Sequence, residues 1–156
     1  MNGHFNNYYT YDGKNIIFKD IIFLIKALVN KNYEIYVGSD SQVIKDKVIF
    51  VTSICLYEMG RGGTYFYQKC REPSDKYKTK RMRLVEESFV AVNVAIKLRS
   101  LGFKVKEVHL DIATKKSAYS SRFKKETSNI VKAYGFKPVL KPYAWASGVA
   151  DWHTKR

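Results

Sequence analysis

YEIYVGSDSQVIKDKVIFVTSICLY, residues 33–57, decides the fold. Its first half alternates apolar and polar residues as a half-buried strand does, and VIFVTSICLY (48–57) is the near-continuous apolar run of a strand buried on both faces. The SQVIKDK between them is too short for a crossover, so the two form a hairpin. GRGG (60–63) supplies turn chemistry for a second hairpin into TYFYQKC. Three antiparallel strands in sequence are therefore expected, with Asp40 closing the first.

Downstream the periodicity changes. REPSDKYKTK (71–80) has loop composition, and RMRLVEESFVAVNVAIKLRSLG then repeats apolar residues at helical spacing as far as Gly102, a C-terminal stop. VKEVHLDI is a fourth strand ending at Asp111. SAYSSRFKKETSNIVKAYG is a helix that stops at Gly135, FKPVLKP a fifth strand, and AWASGVADWHTKR a closing helix. Upstream, FKDIIFLIKALV (18–29) places Ile21, Ile22, Ile25 and Leu28 on one helical face, with Asn30 as the stop. Residues 1–14 are polar and tyrosine-rich, a surface segment or an edge strand. The expected architecture is α/β: a five-stranded mixed sheet, made of a three-strand antiparallel meander plus parallel strands and flanked by helices. An extra helix lies within an N-terminal extension (1–32) of a single domain (1–156) whose core is 33–156. If the fourth strand lies parallel beside the first, their carboxyl ends meet, which is where open sheets bind ligands.

The chain has 156 residues, a formal net charge of +14 from 28 Lys+Arg against 14 Asp+Glu, and 46% hydrophobic residues. One domain with an ordinary core fits that length. The charge balance points to a polyanionic partner, nucleic acid or an acidic membrane surface, and clustering of the cations along loops and helix faces favours nucleic acid. The apolar runs are too short to span a bilayer, and the N-terminus lacks a signal pattern. Cys55 and Cys70 lie in predicted strands with no metal-ligand spacing, as buried thiols of a cytoplasmic protein do. His4, His109 and His153 share no spacing that makes a metal site.

Against this basic background, Asp40, Glu87, Asp111 and Asp151 fall where strands end or a helix faces a sheet. An Asp after a strand often starts a turn, and either Asp40 or Asp111 alone would be read so. Two on adjacent strands with acids on the helices suggest a metal site, because clustered carboxylates repel without cations. Glu87 shares its helical face with Leu84, Ala91, Val94 and Leu98, whereas Glu86 lies on a more mixed face with Met82, Val90, Asn93 and Lys97. Glu87 is therefore the candidate and Glu86 the fallback. For Asp151 the competing reading is a surface acid paired with Lys155 one turn on. Oxygen ligands suit Mg²⁺ or Mn²⁺, and two such ions can activate the nucleophile and stabilise the leaving oxygen of a phosphodiester.

Three segments carry a resemblance: GSDSQ (38–42), HLDIAT (109–114) and KPYAWASGVADWHTK (141–155). With the element order and the four acids, the chain resembles the ribonuclease H superfamily and, more closely, the YkuK-type ribonuclease H-like family. The family's G[ST]DSQ turn, HLDIG strand end and KP-x-[SA]-x-A-[SA]-x-x-AD-x-[YH]-TK tail match nearly throughout. Ala113 replaces the usual glycine, and Tyr143 and Trp145 enlarge positions expected to be small. The resemblance implies a ribonuclease H-like fold and a metal-dependent nuclease. Asp40, Glu87, Asp111 and Asp151 would be its catalytic and metal-binding residues, with two Mg²⁺ or Mn²⁺ ions and RNA or an RNA/DNA hybrid as substrate. A non-catalytic nucleic-acid-binding module on the same fold is the alternative.

Around these acids, Ser41 and Gln42 could contact phosphate or sugar, or cap the turn after Asp40. Lys141 could neutralise a phosphate at the rim, and Lys155 is a further substrate-binding candidate. His153 could shuttle a proton, though a surface histidine is the plainer reading. KYKTKRMR (76–83) with Lys115, Lys116, Arg122, Lys124 and Lys125 could form a backbone track or a solvated face. Tyr8, Tyr9 and Tyr11 could stack on bases or cover the sheet edge.

Overall fold

In the computed structural model, which describes residues 7–155, the chain forms seven strands and four α-helices. The strands are β1 (Tyr8–Thr10), β2 (Asn15–Ile16), β3 (Glu34–Ile44), β4 (Lys47–Glu58), β5 (Gly62–Pro73), β6 (Val105–Leu110) and β7 (Pro138–Val139). The helices are α1 (Phe18–Val29), α2 (Lys80–Ser100), α3 (Lys124–Ala133) and α4 (Trp145–Thr154). All strands lie in one mixed sheet, ordered β2-β1-β5-β4-β3-β6-β7. Residues 1–6, part of the tyrosine-rich segment, and His4 among them, lie outside the described residues.

The five expected strands are present, and β1 and β2 add two more. They form a small hairpin in which Tyr8, Tyr9 and Thr10 pair with Gln68, Tyr67 and Phe66 of β5. Tyr8 is buried in the main core, Tyr9 stacks on Tyr67 with ring centroids 5.3 Å apart, and Tyr11 is exposed. This segment covers the sheet edge. Ile21 and Ile25 of α1 are fully buried in the same core as Leu84, Ala91 and Leu98 of α2, so the N-terminal extension helps build the core.

Several boundaries move. Asp40 does not end its strand: β3 continues to Ile44, and Asp40 pairs with Val51 of β4. The parallel partner ends instead, with Ser39 opposite Leu110 as the last pair of β3 with β6. An antiparallel hairpin can run on to its turn, whereas a crossover strand ends where its loop leaves. Asp40 therefore lies one residue past the end of the parallel pairing, level with Asp111. The segment read as a loop from Arg71 belongs to β5 as far as Pro73, since β4 still offers it partners. The helix read from Ser117 begins as a 3₁₀ turn, Tyr119–Phe123, and becomes α-helical at Lys124. The fifth predicted strand shrinks to two residues because the two prolines of FKPVLKP limit ladder bonding.

Helix α4 lies against the sheet at one point of very close approach. A Cβ on Gly38 would fall 2.2 Å from the backbone carbon of Ala146, which only glycine permits. The Ala146 peptide is held from both sides: its N–H donates to His109 Nδ1 at 3.0 Å, and its carbonyl accepts from Ser53 Oγ at 2.8 Å. Three adjacent strands thus grip α4 at one residue, through the two peptide groups that flank the Ala146 Cα. Among the described residues no helix is long and apolar enough to cross a membrane, and Cys55 and Cys70 are buried free thiols.

Two glycine substitutions test this contact. Gly38→Ala forces a methyl into the Ala146 backbone and should destabilise the fold by about 3 kcal/mol. Gly148→Ala, on the exposed side of α4 with nothing within 4 Å of the new Cβ, should stabilise it by about 0.5–1 kcal/mol. Chemical denaturation of the two variants checks both signs.

Candidate functional site

Four elements bring the acids together. Asp40 sits on β3 and is only 4% exposed. Asp111 follows β6 directly and is half-buried. Glu87 lies on α2, 3% exposed, among the buried residues Leu84, Ala91, Val94 and Leu98 of the same helical face. Asp151 lies on α4, half-buried, one turn beyond Ser147 of the pressed-in face. Glu86 is also half-buried, but its charge neighbour among the carboxylates is Glu72 rather than Asp40.

Asp40 is the electrostatic centre. Burial, and then the neighbouring Glu87 charge, push its carboxyl well above the carboxylate range; hydrogen bonding and charge from Asp111 and hydrogen bonding from Asp151 add to the rise. Burial also raises Glu87, to about 8, against the lowering effect of a hydrogen bond from Ser41 and the charges of Arg83 and Lys80. A proton on Asp40 is the cheapest way for a buried acid to live beside three others.

Each of the other acids has a partner within the protein. Ser41 Oγ donates to Glu87 Oε1. Lys141 Nζ is ion-paired with Asp111 Oδ1. Lys155 Nζ pairs with Asp151 Oδ2 at 3.1 Å, the contact expected one helical turn apart. Ser39 Oγ, meanwhile, donates to the Glu87 carbonyl at 2.9 Å and fixes α2 on β3. Among the described residues no three His, Cys, Asp or Glu side chains are drawn into a ready-made ion cage. The acids are neighbours, with Asp111 and Asp151 in hydrogen-bond reach of Asp40, and a hydroxyl and two ammonium groups offset their charge. As an all-oxygen donor set around one buried carboxyl, they fit a hard divalent cation, with Asp40, Glu87, Asp111 and Asp151 as the residues that would hold it.

The remaining candidates separate. Ser41 and Gln42 cap no turn, because the strand runs through them; Ser41 serves Glu87, and Gln42 Oε1 accepts from Thr154 Oγ1 at 3.3 Å. His153 is buried rather than superficial, at 8% exposure, since α4 turns Ala146, Ala150 and His153 toward the sheet. Its ring stacks on Tyr67 at 3.7 Å, and Nε2 shares a 2.9 Å hydrogen bond with the Tyr65 hydroxyl. Tyr143 is 77% exposed, while Trp145 packs against Tyr36, Tyr57 and His109. Ala113, in place of the usual glycine, accommodates the turn with its N–H donating to Ser120 Oγ at 3.1 Å.

Sequence reasoning missed the groups that position α4. Gly38 carried a signal, since glycine inside a strand marks close backbone approach. Ser53 carried none, and His109 stood as the first residue of the HLDIAT motif with no role read from it. His109 is 1% exposed, and burial lowers its ring to about 4. It is neutral, and with Nδ1 accepting from Ala146 the proton resides on Nε2, which has no hydrogen-bond partner among the described residues. His109 thus serves as a helix anchor.

The acid cluster makes stability depend on pH in a definite direction. Asp40 and Glu87 favour the neutral form in the folded state. Their contribution is full below the carboxylate range near 4 and drains away as pH rises through the folded-state values, past about 8 for Glu87. Asp40→Asn, neutral at every pH, escapes most of this loss. Thermal melts in chelator should show the variant overtaking the wild type as pH rises from 5 to 9, with the gap widening throughout. A constant gap would contradict the electrostatic account.

No curated protein matches the chain. A family model described as Ribonuclease H-like matches residues 16–155, from the second strand of the N-terminal hairpin through the end of α4. That span takes in all four acids and the strands and helices that carry them, and the chain belongs to the ribonuclease H-like family.

Proposed function

We propose that the protein is a divalent-metal-dependent nuclease that hydrolyses phosphodiester bonds in RNA or an RNA-containing hybrid, using Asp40, Glu87, Asp111 and Asp151. The observation that carries this reading is a buried aspartate, Asp40, with three acidic neighbours in a chain of net charge +14 that belongs to the ribonuclease H-like family. A solely structural cluster gains nothing from burying Asp40 beside like charges. Two Mg²⁺ or Mn²⁺ ions would supply charge neutralisation at the attacking and leaving oxygens.

The chain's own residues supply position. Asp40 lies on a strand paired along its whole length with β4, so its backbone has little freedom. Ser39 and Ser41 alternate around Asp40 on the opposite face and tie down the backbone and side chain of Glu87. The grip on Ala146 sets where Asp151 lies relative to Asp40. Lysines deliver the polyanion. Within 76–83, Lys76 is committed to Glu72 at 2.8 Å and Arg81 to Glu126 through two hydrogen bonds, and Arg83 is the stronger cationic neighbour of Glu87, which leaves Lys78 and Lys80 as the better candidates for phosphate.

A non-catalytic binding module is the second reading, and the internal partners of Glu87, Asp111 and Asp151 are what favour it. Cleavage of labelled single-stranded, duplex and hybrid substrates, with and without Mn²⁺, separates the two. Asp40→Asn and Asp111→Asn should each cut the metal-dependent rate by at least about a hundredfold, a barrier increase of about 2.7 kcal/mol or more. Glu87→Gln should be severe and Glu86→Gln mild. Metal-free binding should survive the Asp40 and Asp111 changes and weaken on charge reversal of Lys78 and Lys80, with a flatter salt dependence. Tight binding with no cleavage by any divalent ion would establish the binding module instead.

A further inference from the structure

The carboxylate cluster carries its own cation. Lys141 follows β7 and reaches across to Asp111, with Asp40 and Asp151 as its next charge neighbours. Its backbone is fixed on both sides: the Lys141 N–H donates to the Ile112 carbonyl at 3.0 Å, and the Lys141 carbonyl accepts from Thr114 Oγ1 at 3.2 Å. The segment leaving Asp111 and the segment carrying Lys141 are therefore stitched together, and the pairing follows from the fold. The Lys155–Asp151 pair, by contrast, joins one turn of a single helix.

An ammonium has donors only and cannot enter a metal's coordination shell. An Asp111 oxygen that holds Lys141 is withheld from a divalent ion, so the two cations exclude each other there. The lysine side chain is about half exposed, on a flexible four-carbon stem, and has open solvent to move into. Its backbone tether keeps a displaced ammonium at the rim of the acid cluster, where a nucleic-acid phosphate would approach.

We propose that Lys141 is a resident counter-cation of the carboxylate cluster that competes with divalent metal for Asp111 and, once displaced, offers its ammonium to a phosphate of the substrate, so that metal and nucleic acid bind cooperatively. This rests on the metal-dependent reading above. The resident pair reduces apparent metal affinity by the fraction of molecules in which Asp111 is free; if that fraction is about one-tenth, abolishing the pair tightens metal binding about tenfold.

The test is calorimetric titration of the full chain with Mn²⁺, using wild type, Lys141→Met, Lys141→Gln and Asp111→Asn. Both neutral variants should bind Mn²⁺ about tenfold more tightly than wild type, and Asp111→Asn should lose most binding. In parallel, Ca²⁺ should tighten binding of a single-stranded RNA oligonucleotide to wild type, and that enhancement should shrink in Lys141→Met. If the variants misfold, the wild type still decides: Lys141 should become more reactive to an amine-modifying reagent when Mn²⁺ is added. Unchanged or weaker Mn²⁺ binding in the neutral variants, or Lys141 reactivity indifferent to Mn²⁺, would overturn the proposal. Wild type that binds no Mn²⁺ at all would instead sink the metal-dependent reading on which it rests.

Discussion

The contact between Gly38 and the Ala146 peptide governs the geometry of everything around it. A helix normally stands off a sheet by the length of its side chains, but here the β3 position under α4 has no side chain. The helix backbone descends until its atoms would touch a methyl group. At that depth the Ala146 N–H and carbonyl leave water, and each needs a protein partner. His109 on β6 and Ser53 on β4 provide them. The result is a three-strand grip that sets the helix's depth, rotation and direction together, and Asp151 is carried on it. A residue without a side chain thereby helps determine where Asp151 stands: about one and a half turns along α4 from Ala146, beside Asp40.

The acid cluster shows how a positive protein tolerates concentrated negative charge. Burial makes Asp40 resist ionisation, a hydroxyl holds Glu87, and tethered ammonium groups hold Asp111 and Asp151. Each device is local and each opposes a different part of the repulsion. None removes the acids from one another's reach, and a divalent cation would answer all of them at once.

Strong periodicity made most of the fold legible. The run at 48–57, the long helix ending at Gly102 and the turn residues at 60–63 leave little choice of element, and the phase of α2 distinguishes Glu87 from Glu86 because Leu84, Ala91, Val94 and Leu98 all have to face inward. Where elements stop was less visible. β3 runs past Asp40 because its partner on one side continues while the other ends, and no local property of SQVI encodes that. The two N-terminal strands were hidden for a similar reason: three residues of β1 become a strand only because β5 offers a ladder to pair with. For the site, charge and position pointed to the four acids, but the internal partners did not show. Lys141 meets Asp111 through two segments about thirty residues apart, and the burial of His153 depends on how α4 is rotated by the Ala146 grip.

The hairpin that covers β5 also bears on self-association. β5 is twelve residues long, and an uncovered strand of that length is a template for edge-to-edge pairing with another chain. Among the described residues, β1 pairs with Phe66, Tyr67 and Gln68, the aromatic middle of the strand. The flanks carry other deterrents, with Gly62 and Gly63 at one end and Lys69, Arg71 and Pro73 at the other. The sheet then finishes in strands of two residues on both margins, β2 and β7, too short to recruit a neighbour. Margins of that kind keep the sheet from growing strand by strand when copies of the chain are concentrated together, because neither end offers a ladder long enough to extend.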